Sequence, residues 1–387
     1  MKDEKRRMRI RMFILHPSSF ILHPFLHPSS FILHPSSFSS SFILHPSSSF
    51  PRVSTAALAA YNTSTMRTLI ACLMLACLLV SCQTQTPTGE KTFEIAVVPK
   101  SQSLVFWQSV HAGAAAAGQD LKVKVLWNGP ASETDFAPQI NIVEDFLNRG
   151  VDAIGLAPNH GKALAPVVEK AMQRGIPVTI FDSGIETDKY VSYVSTDNYQ
   201  GGVMGADRLA TRLKGKGKVA LLGVVAGSVS TNEREKGFQE TLKSKYPDLK
   251  LVAFQYGMGD QARSLAVAED ILNANPDLDG IFASNESSTV GAVQAVKGLK
   301  RVGRVVVVGF DSSPTLIEDL YAGVLDSLVH QDPFMIGYEA VRTLNDKLRG
   351  KAPERRIATK VYLVTKENLG SPEIQRLVNP PLDKYLK

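Results

Sequence analysis

Six short segments concentrate the side chains able to do chemistry, and each stands just after an apolar run. Phe106 and Trp107 lie beyond Pro99-Lys100-Ser101-Gln102-Ser103, which follows Phe93-Val98. Asp182-Ser183-Gly184 follows Val178-Phe181, and Arg234 ends the stretch Asn232-Glu233-Arg234 beyond a Gly/Ser loop, Ala226-Thr231. Asn285 sits in Ser284-Asn285-Glu286, Asp311 opens Asp311-Ser312-Ser313, and Gln331 lies in His330-Gln331-Asp332-Pro333. These residue types suit reversible polar recognition. A carboxylate accepts from neighbouring O–H groups, a guanidinium donates in a fixed plane, and an aromatic face covers apolar area.

The parts for covalent chemistry are missing. A G-x-S-x-G elbow is absent, so a serine hydrolase has no nucleophile turn. Val97-Val98-Pro99-Lys100-Ser101 carries no glycine where a dinucleotide-binding fingerprint needs G-x-G-x-x-G. All three cysteines (Cys72, Cys77, Cys82) precede the segments above, leaving no thiol nucleophile, disulfide or Cys-ligated metal there. His111, His160 and His330 are isolated in sequence. Neither enzymatic activity, nor a cofactor, nor a metal is expected.

The positioning elements follow from periodicity. β-branched apolar runs at Phe93-Val98, Val123-Trp127, Ala153-Leu156, Val178-Phe181, Val219-Leu222, Leu251-Gln255, Gly280-Ala283 and Val305-Gly309 read as strands. Amphipathic stretches between them, such as Phe106-Gly118, Phe136-Arg149, Leu164-Arg174 and Gln261-Ala274, read as helices, several ending at Arg149-Gly150, Gly175-Ile176-Pro177 or Asn275-Pro276. Strands that are continuous apolar runs, each followed by a helix, predict an α/β fold of doubly wound, buried parallel sheets. In such sheets ligands bind beyond the carboxyl ends of the strands, where the polar segments lie.

The first part of the chain is of another kind. Between Met12 and Phe50 the unit Phe-Ile-Leu-His-Pro-Ser-Ser recurs, as in Phe13-Ser19, Phe31-Ser37 and Phe42-Ser48, and takes in five of the eight histidines. A proline in every unit rules out a helix or strand ladder. Residues 1–65 read as low-complexity disordered chain, or as a translated DNA repeat upstream of a true start at Met66. Residues 66–81 read as a signal peptide: Met66-Arg67, then apolar Thr68-Val80, too short to span about 30 Å of hydrocarbon. Residues 82–91 read as a polar tether. Eight of the 43 Lys+Arg and two of the 37 Asp+Glu precede residue 68, leaving 35 of each. The formal charge of +6 therefore belongs to the leader, and phosphate-backbone binding to nucleic acid loses its support. Roughly three hundred residues remain, enough for two cores.

The ending Leu79-Val80-Ser81-Cys82 resembles the lipobox of bacterial lipoproteins. That resemblance implies acylation of Cys82 and a protein held on a membrane outside the cytoplasm, with Gln83 favouring outer-membrane sorting in a two-membrane cell. The rest, about Phe93 to Asn368, resembles the type I periplasmic binding proteins of ABC transporters, most closely the ribose- and galactose-type branch. The patches Ile176-Asp182, Ser195-Gly202, Asn232-Phe238, Ile281-Glu286 and Val308-Asp311, in the family's order, carry it.

The resemblance implies two lobes, 92–196 plus 332–360 and 197–331 plus 361–387, joined by three hinge strands. It implies a monomer that closes over a small polar ligand, a monosaccharide above all, and delivers it to an ABC permease. The alternative is a lipoprotein sensing a sugar or an autoinducer-type furanose for a chemoreceptor or sensor kinase. The sugar-responsive repressors share the fold, but they carry a DNA-binding motif where this chain has its leader. Matched position by position, Asp182, Arg234, Asn285, Asp311 and Gln331 would bond ligand hydroxyls, with Phe106 and Trp107 flanking the ring and Ser183 as a further contact. Ser183 stands where the ribose-type pattern often has Arg, and Ala157-Pro158-Asn159 replaces its Asn-Pro, which argues against ribose itself. Competing roles exist for each residue. Asp182, Asp311 and Asn285 are common helix caps, Arg234 a surface residue between Glu233 and Glu235, and Gln331 a hinge residue. Adjacent Phe106 and Trp107 cannot share one helical face. Gly201-Gly202 reads as a close helix contact, not a phosphate site.

Overall fold

A computed structural model describes residues 91–386. The histidine repeats, the signal peptide and Cys82 lie outside the described residues. Residues 88–387 form one compact unit, and all four clusters of buried apolar side chains lie within it.

Among the described residues, twelve strands divide between two six-stranded sheets. The first contains β1 (Glu94–Val98), β2 (Lys124–Trp127), β3 (Ala153–Leu156), β4 (Val178–Phe181), β5 (Ser192–Thr196) and β11 (Arg356–Thr359). Its order is β11-β5-β4-β3-β1-β2, and every pairing is parallel. The second contains β6 (Gly217–Gly223), β7 (Leu249–Tyr256), β8 (Gly280–Ala283), β9 (Val306–Phe310), β10 (Ser327–His330) and β12 (Tyr362–Thr365), in the order β12-β10-β9-β8-β6-β7. Here β12 runs antiparallel to β10, a departure from the all-parallel expectation. The chain enters this strand directly from β11 of the other sheet, with no helix between the two.

Alternating residues of a strand point to opposite faces, and both faces are covered. Ile95 and Val97 of β1 join one cluster, while Ala96 and Val98 join another. In β9, Val307 points to one cluster, Val308 and Phe310 to the other. That two-sided burial is why these strands read as unbroken apolar runs.

The helices are α1 (Val105–Leu121), α2 (Phe136–Arg149), α3 (Ala165–Gln173), α4 (Asn198–Leu213), α5 (Val229–Lys245), α6 (Gln261–Ala274), α7 (Glu286–Gly298), α8 (Pro314–Ala322), α9 (Pro333–Leu348), α10 (Pro372–Val378) and α11 (Leu382–Tyr385). α4 packs on the second sheet and α9 on the first, so the chain changes halves just after Thr196, after His330 and between Thr359 and Tyr362. Helices α4 and α9 open on side-chain caps: Asp197 accepts from Gln200 N at 2.9 Å, Asp332 from Met335 N at 3.1 Å. α11 departs from the expected assignment of 361–387 to the second half. It packs back on α1 of the first, with Tyr385 5.8 Å from the Phe334 ring.

Candidate functional site

The polar strand ends of both halves face one another and line one small cavity between them. The first half lends Phe106, Trp107 and Asp182, the second Arg234, Asn285 and Asp311, and Gln331 stands at the crossing. Ser183 is the exception among the expected residues. It is buried, but its hydroxyl accepts from Ser230 N at 3.1 Å and does not line the cavity.

Asp182 and Asp311 are not helix caps. Each directly follows a strand with a left-handed backbone, φ 59° and 64°. Gln331 Nε2 donates to Asp311 Oδ1 at 2.9 Å, and the Arg234 guanidinium stands 3.8 Å from Oδ2. Lys100 pairs with Asp182 Oδ2 at 3.0 Å.

Arg234 is locked from four sides. Its Nε donates to Asn198 Oδ1 at 2.8 Å, its Nη1 to the Ser284 carbonyl at 2.9 Å, and its guanidinium lies 3.7 Å over the Phe310 ring. The helix that carries it is set by glycines. A Cβ on Gly202 of α4 would sit 1.9 Å from the Arg234 carbonyl oxygen, and one on Gly237 of α5 would sit 2.2 Å from that of Tyr199. The two helices can approach this closely only without side chains there.

Asn285 is a helix cap that also lines the cavity. Its Oδ1 caps α7 through Ser288 N at 2.9 Å, while its Nδ2 faces Glu133 at 3.5 Å. Phe106 and Trp107 meet edge to face at 4.9 Å, and both line the cavity because it abuts the first turn of α1. Trp107 Nε1 donates to Glu133 Oε1 at 2.8 Å.

Four carboxylates, Glu133, Asp182, Glu286 and Asp311, share this space with Lys100 and Arg234. Burial pushes the Glu133 carboxyl up against the opposing pull of Lys100 and the Trp107 indole. Burial likewise raises Asp311, opposed first by Arg234, and lifts Glu286 to about 7 despite two backbone N–H bonds. His330, behind Asp311, is held down by burial and bonds Ser312 Oγ at 2.7 Å.

Several acceptors stay open. Among the described residues Gln331 Oε1 is buried with no partner, and Asp182 Oδ1 takes no hydrogen bond from the protein. On the donor side Arg234 Nη2 is uncommitted, and Asn285 Nδ2 has only its long contact. Such a set suits a neutral ligand that offers several O–H groups.

The profile of the periplasmic binding protein domain matches residues 95–352. The chain belongs to that family. Among its relatives, the D-ribose/D-allose-binding protein of Pseudomonas aeruginosa is 32% identical over 312 residues, 76% of this chain and 97% of that one. The ribose import binding protein of Bacillus subtilis is 30% identical over 307 residues, 79% of this chain and 98% of that one. A carbohydrate transporter solute binding protein from Agrobacterium radiobacter, solved with D-arabinose, superposes with a TM-score of 0.73 at 36% identity, covering 75% of this chain and all of that one. An ABC transporter solute binding protein from Agrobacterium vitis with bound D-fucose gives 0.72 at 37% identity, 74% of this chain and 99% of that one.

Sequence reasoning about this periplasmic binding protein passed over three charged residues of the cavity wall. Lys100 and Glu286 stood inside the strand-end segments but were given no role. Glu133 lies in the loop after β2, a strand end that was not searched.

Proposed function

We propose that the protein is an extracytoplasmic solute-binding protein. It captures a monosaccharide in the cavity between its halves by closing over it, and hands it to an ABC permease. The observation that carries this reading is the convergence of Asp182, Arg234, Asn285, Asp311 and Gln331 with two aromatic rings on one small cavity. The four carboxylates lining the cavity favour a neutral polyhydroxyl compound over a sugar acid or phosphate, whose oxygens would face them. Asp182 and Arg234 contact hydroxyls from opposite halves, and the Phe106 and Trp107 rings cover the apolar C–H face of the sugar. Bound solute favours the closed state by its differential affinity for it. The names of the relatives, ribose, allose and ribose import, support sugar and permease alike.

The test is a thermal-shift screen of the fragment 88–387, which carries every described core cluster, against monosaccharides and sugar alcohols. A true ligand at about 100 times its Kd adds about 2.7 kcal/mol and raises Tm by several degrees. No shift with any of them overturns the sugar assignment. The protein acts as a monomer, tethered to a membrane through lipid on Cys82. Cys82→Ser in the full chain should abolish incorporation of labelled palmitate, and incorporation that persists removes the anchor.

A further inference from the structure

Two charged residues of the cavity direct their bonds at the protein itself, across the gap between the halves. Glu286 opens α7 in the second half, yet its carboxylate accepts from Phe106 N at 3.0 Å and Val105 N at 3.3 Å in the first. Those are among the first N–H groups of α1, which a helix leaves without internal partners. Leu104, the residue before α1, offers no side-chain cap, and the first turn holds no acidic residue. Helix α1 thus receives its cap, and the negative charge its dipole favours, only from the opposite half.

Lys100 repeats the pattern from the other side. Its ammonium forms an ion pair with Asp182 Oδ2 at 3.0 Å in its own half and donates to Ser230 Oγ at 2.9 Å and Ser228 Oγ at 3.2 Å in the other. Ser230 N returns a bond to Ser183 Oγ, and Gly161 N donates to the Gly227 carbonyl at 3.1 Å beside it. Every one of these bonds joins protein to protein.

We propose that Glu286 and Lys100 form a latch that holds the two halves closed by contacts independent of the solute. The inference rests on the closure reading above. Because Phe106 and Trp107 stand on the first turn of α1, the cap from Glu286 also fixes the aromatic wall, and does so only on closure. Glu286 is therefore a positioning residue. The latch sets how much of the protein is closed and how fast solute leaves, while the open donors and acceptors choose which solute enters.

Closure can be read with no sugar added. The fragment 88–387 contains no cysteine, so Lys162→Cys and Lys236→Cys, both exposed and one in each half, accept a pair of nitroxide labels. Pulsed electron resonance then reports the distance between halves. The otherwise wild-type fragment should show a short-distance component. Glu286→Ala should lower its share relative to the open form about five-fold, the factor that loss of one helix cap implies. Lys100→Met should lower it too, and Glu286→Gln, which keeps one acceptor oxygen, should fall between. Should Glu286→Ala fail to fold, the Glu286→Gln and Lys100→Met pair carries the test. With sugar present, the variants should release it faster. A wild-type fragment without the short component, or variants with its distribution unaltered, overturns the latch. Neither result touches the sugar assignment, which the thermal-shift screen decides.

Discussion

Asp182 and Asp311 occupy the same place in the two halves. Each follows a phenylalanine at a strand end, each has a left-handed backbone, and each donates its N–H at 2.9 Å to a carbonyl of the next strand, Val194 or Val329. For residues other than Gly, Asn and Asp this backbone costs roughly 1–2 kcal/mol. The fold therefore restricts what can stand there, and the carboxylates do the rest.

Asparagine tolerates the same backbone and has nearly the same shape. Asp182→Asn and Asp311→Asn should keep the fold while each weakens sugar binding by at least about tenfold, the effect of losing one charge-assisted hydrogen bond of about 1.5–3 kcal/mol. Calorimetric titration checks this, with circular dichroism to show that the fold is intact. Binding unchanged in both variants would remove the aspartates from the site.

Gly202→Ala places a methyl 1.9 Å from the Arg234 carbonyl. Backbone must move, and the expected cost is about 1–3 kcal/mol with a lower Tm. Sugar affinity should fall as well, since α5 carries Arg234. Urea unfolding and titration read the two effects separately.

Trp107 and Trp127 are the two tryptophans, and Trp107 lines the cavity. Ligand should change the intrinsic fluorescence, and Trp127→Phe should keep that change while Trp107→Phe abolishes it. The loss of the indole N–H also leaves Glu133 with one bond fewer in a buried place, which costs about 1–3 kcal/mol.

The stability contributed by two buried carboxyls should fall as pH rises through neutrality. Burial lifts Glu235 and Glu286 to about 7, with Glu235 bonded only by Val224 N and Ser284 Oγ at 3.2 Å each. A carboxyl raised above its unfolded value of 4.5 stabilises the native state fully below that value, and the contribution disappears as pH passes about 7. Buried His330, held down, contributes with the opposite sign over the same interval, so the carboxyl effect is read by difference: Glu235→Gln should raise Tm at pH 8 relative to wild type more than at pH 5.5. A difference that does not change with pH contradicts the assignment.

The strands and helices were legible where their signals are local. Phe136–Arg149 and Gln261–Ala274 match their apolar periodicity end to end, and Ala153–Leu156, Val178–Phe181 and Gly280–Ala283 match as strands. The edge strands β11 and β12 were not legible. Each is only four residues long; β11 is half-buried or exposed and shows no apolar run, while β12 buries only Val364 and Thr365, too few to stand out. Likewise β5 mixes Ser, Tyr and Thr because side chains such as Ser192 bond to other segments, here the Glu354 carbonyl.

What the sequence determined by itself is the alternation of buried strands with capped helices, and the hydrogen-bonding and aromatic side chains at the strand ends. Both are written in neighbouring residues, by burial period and by capping chemistry. What only the tertiary structure decided is which of those side chains face a solute and which face each other. Glu286 and Phe106 are 180 residues apart, and no period or motif links them. Their contact exists because two separately wound sheets close on one another, and the same packing turned Ser183 and Lys100 toward the opposite half.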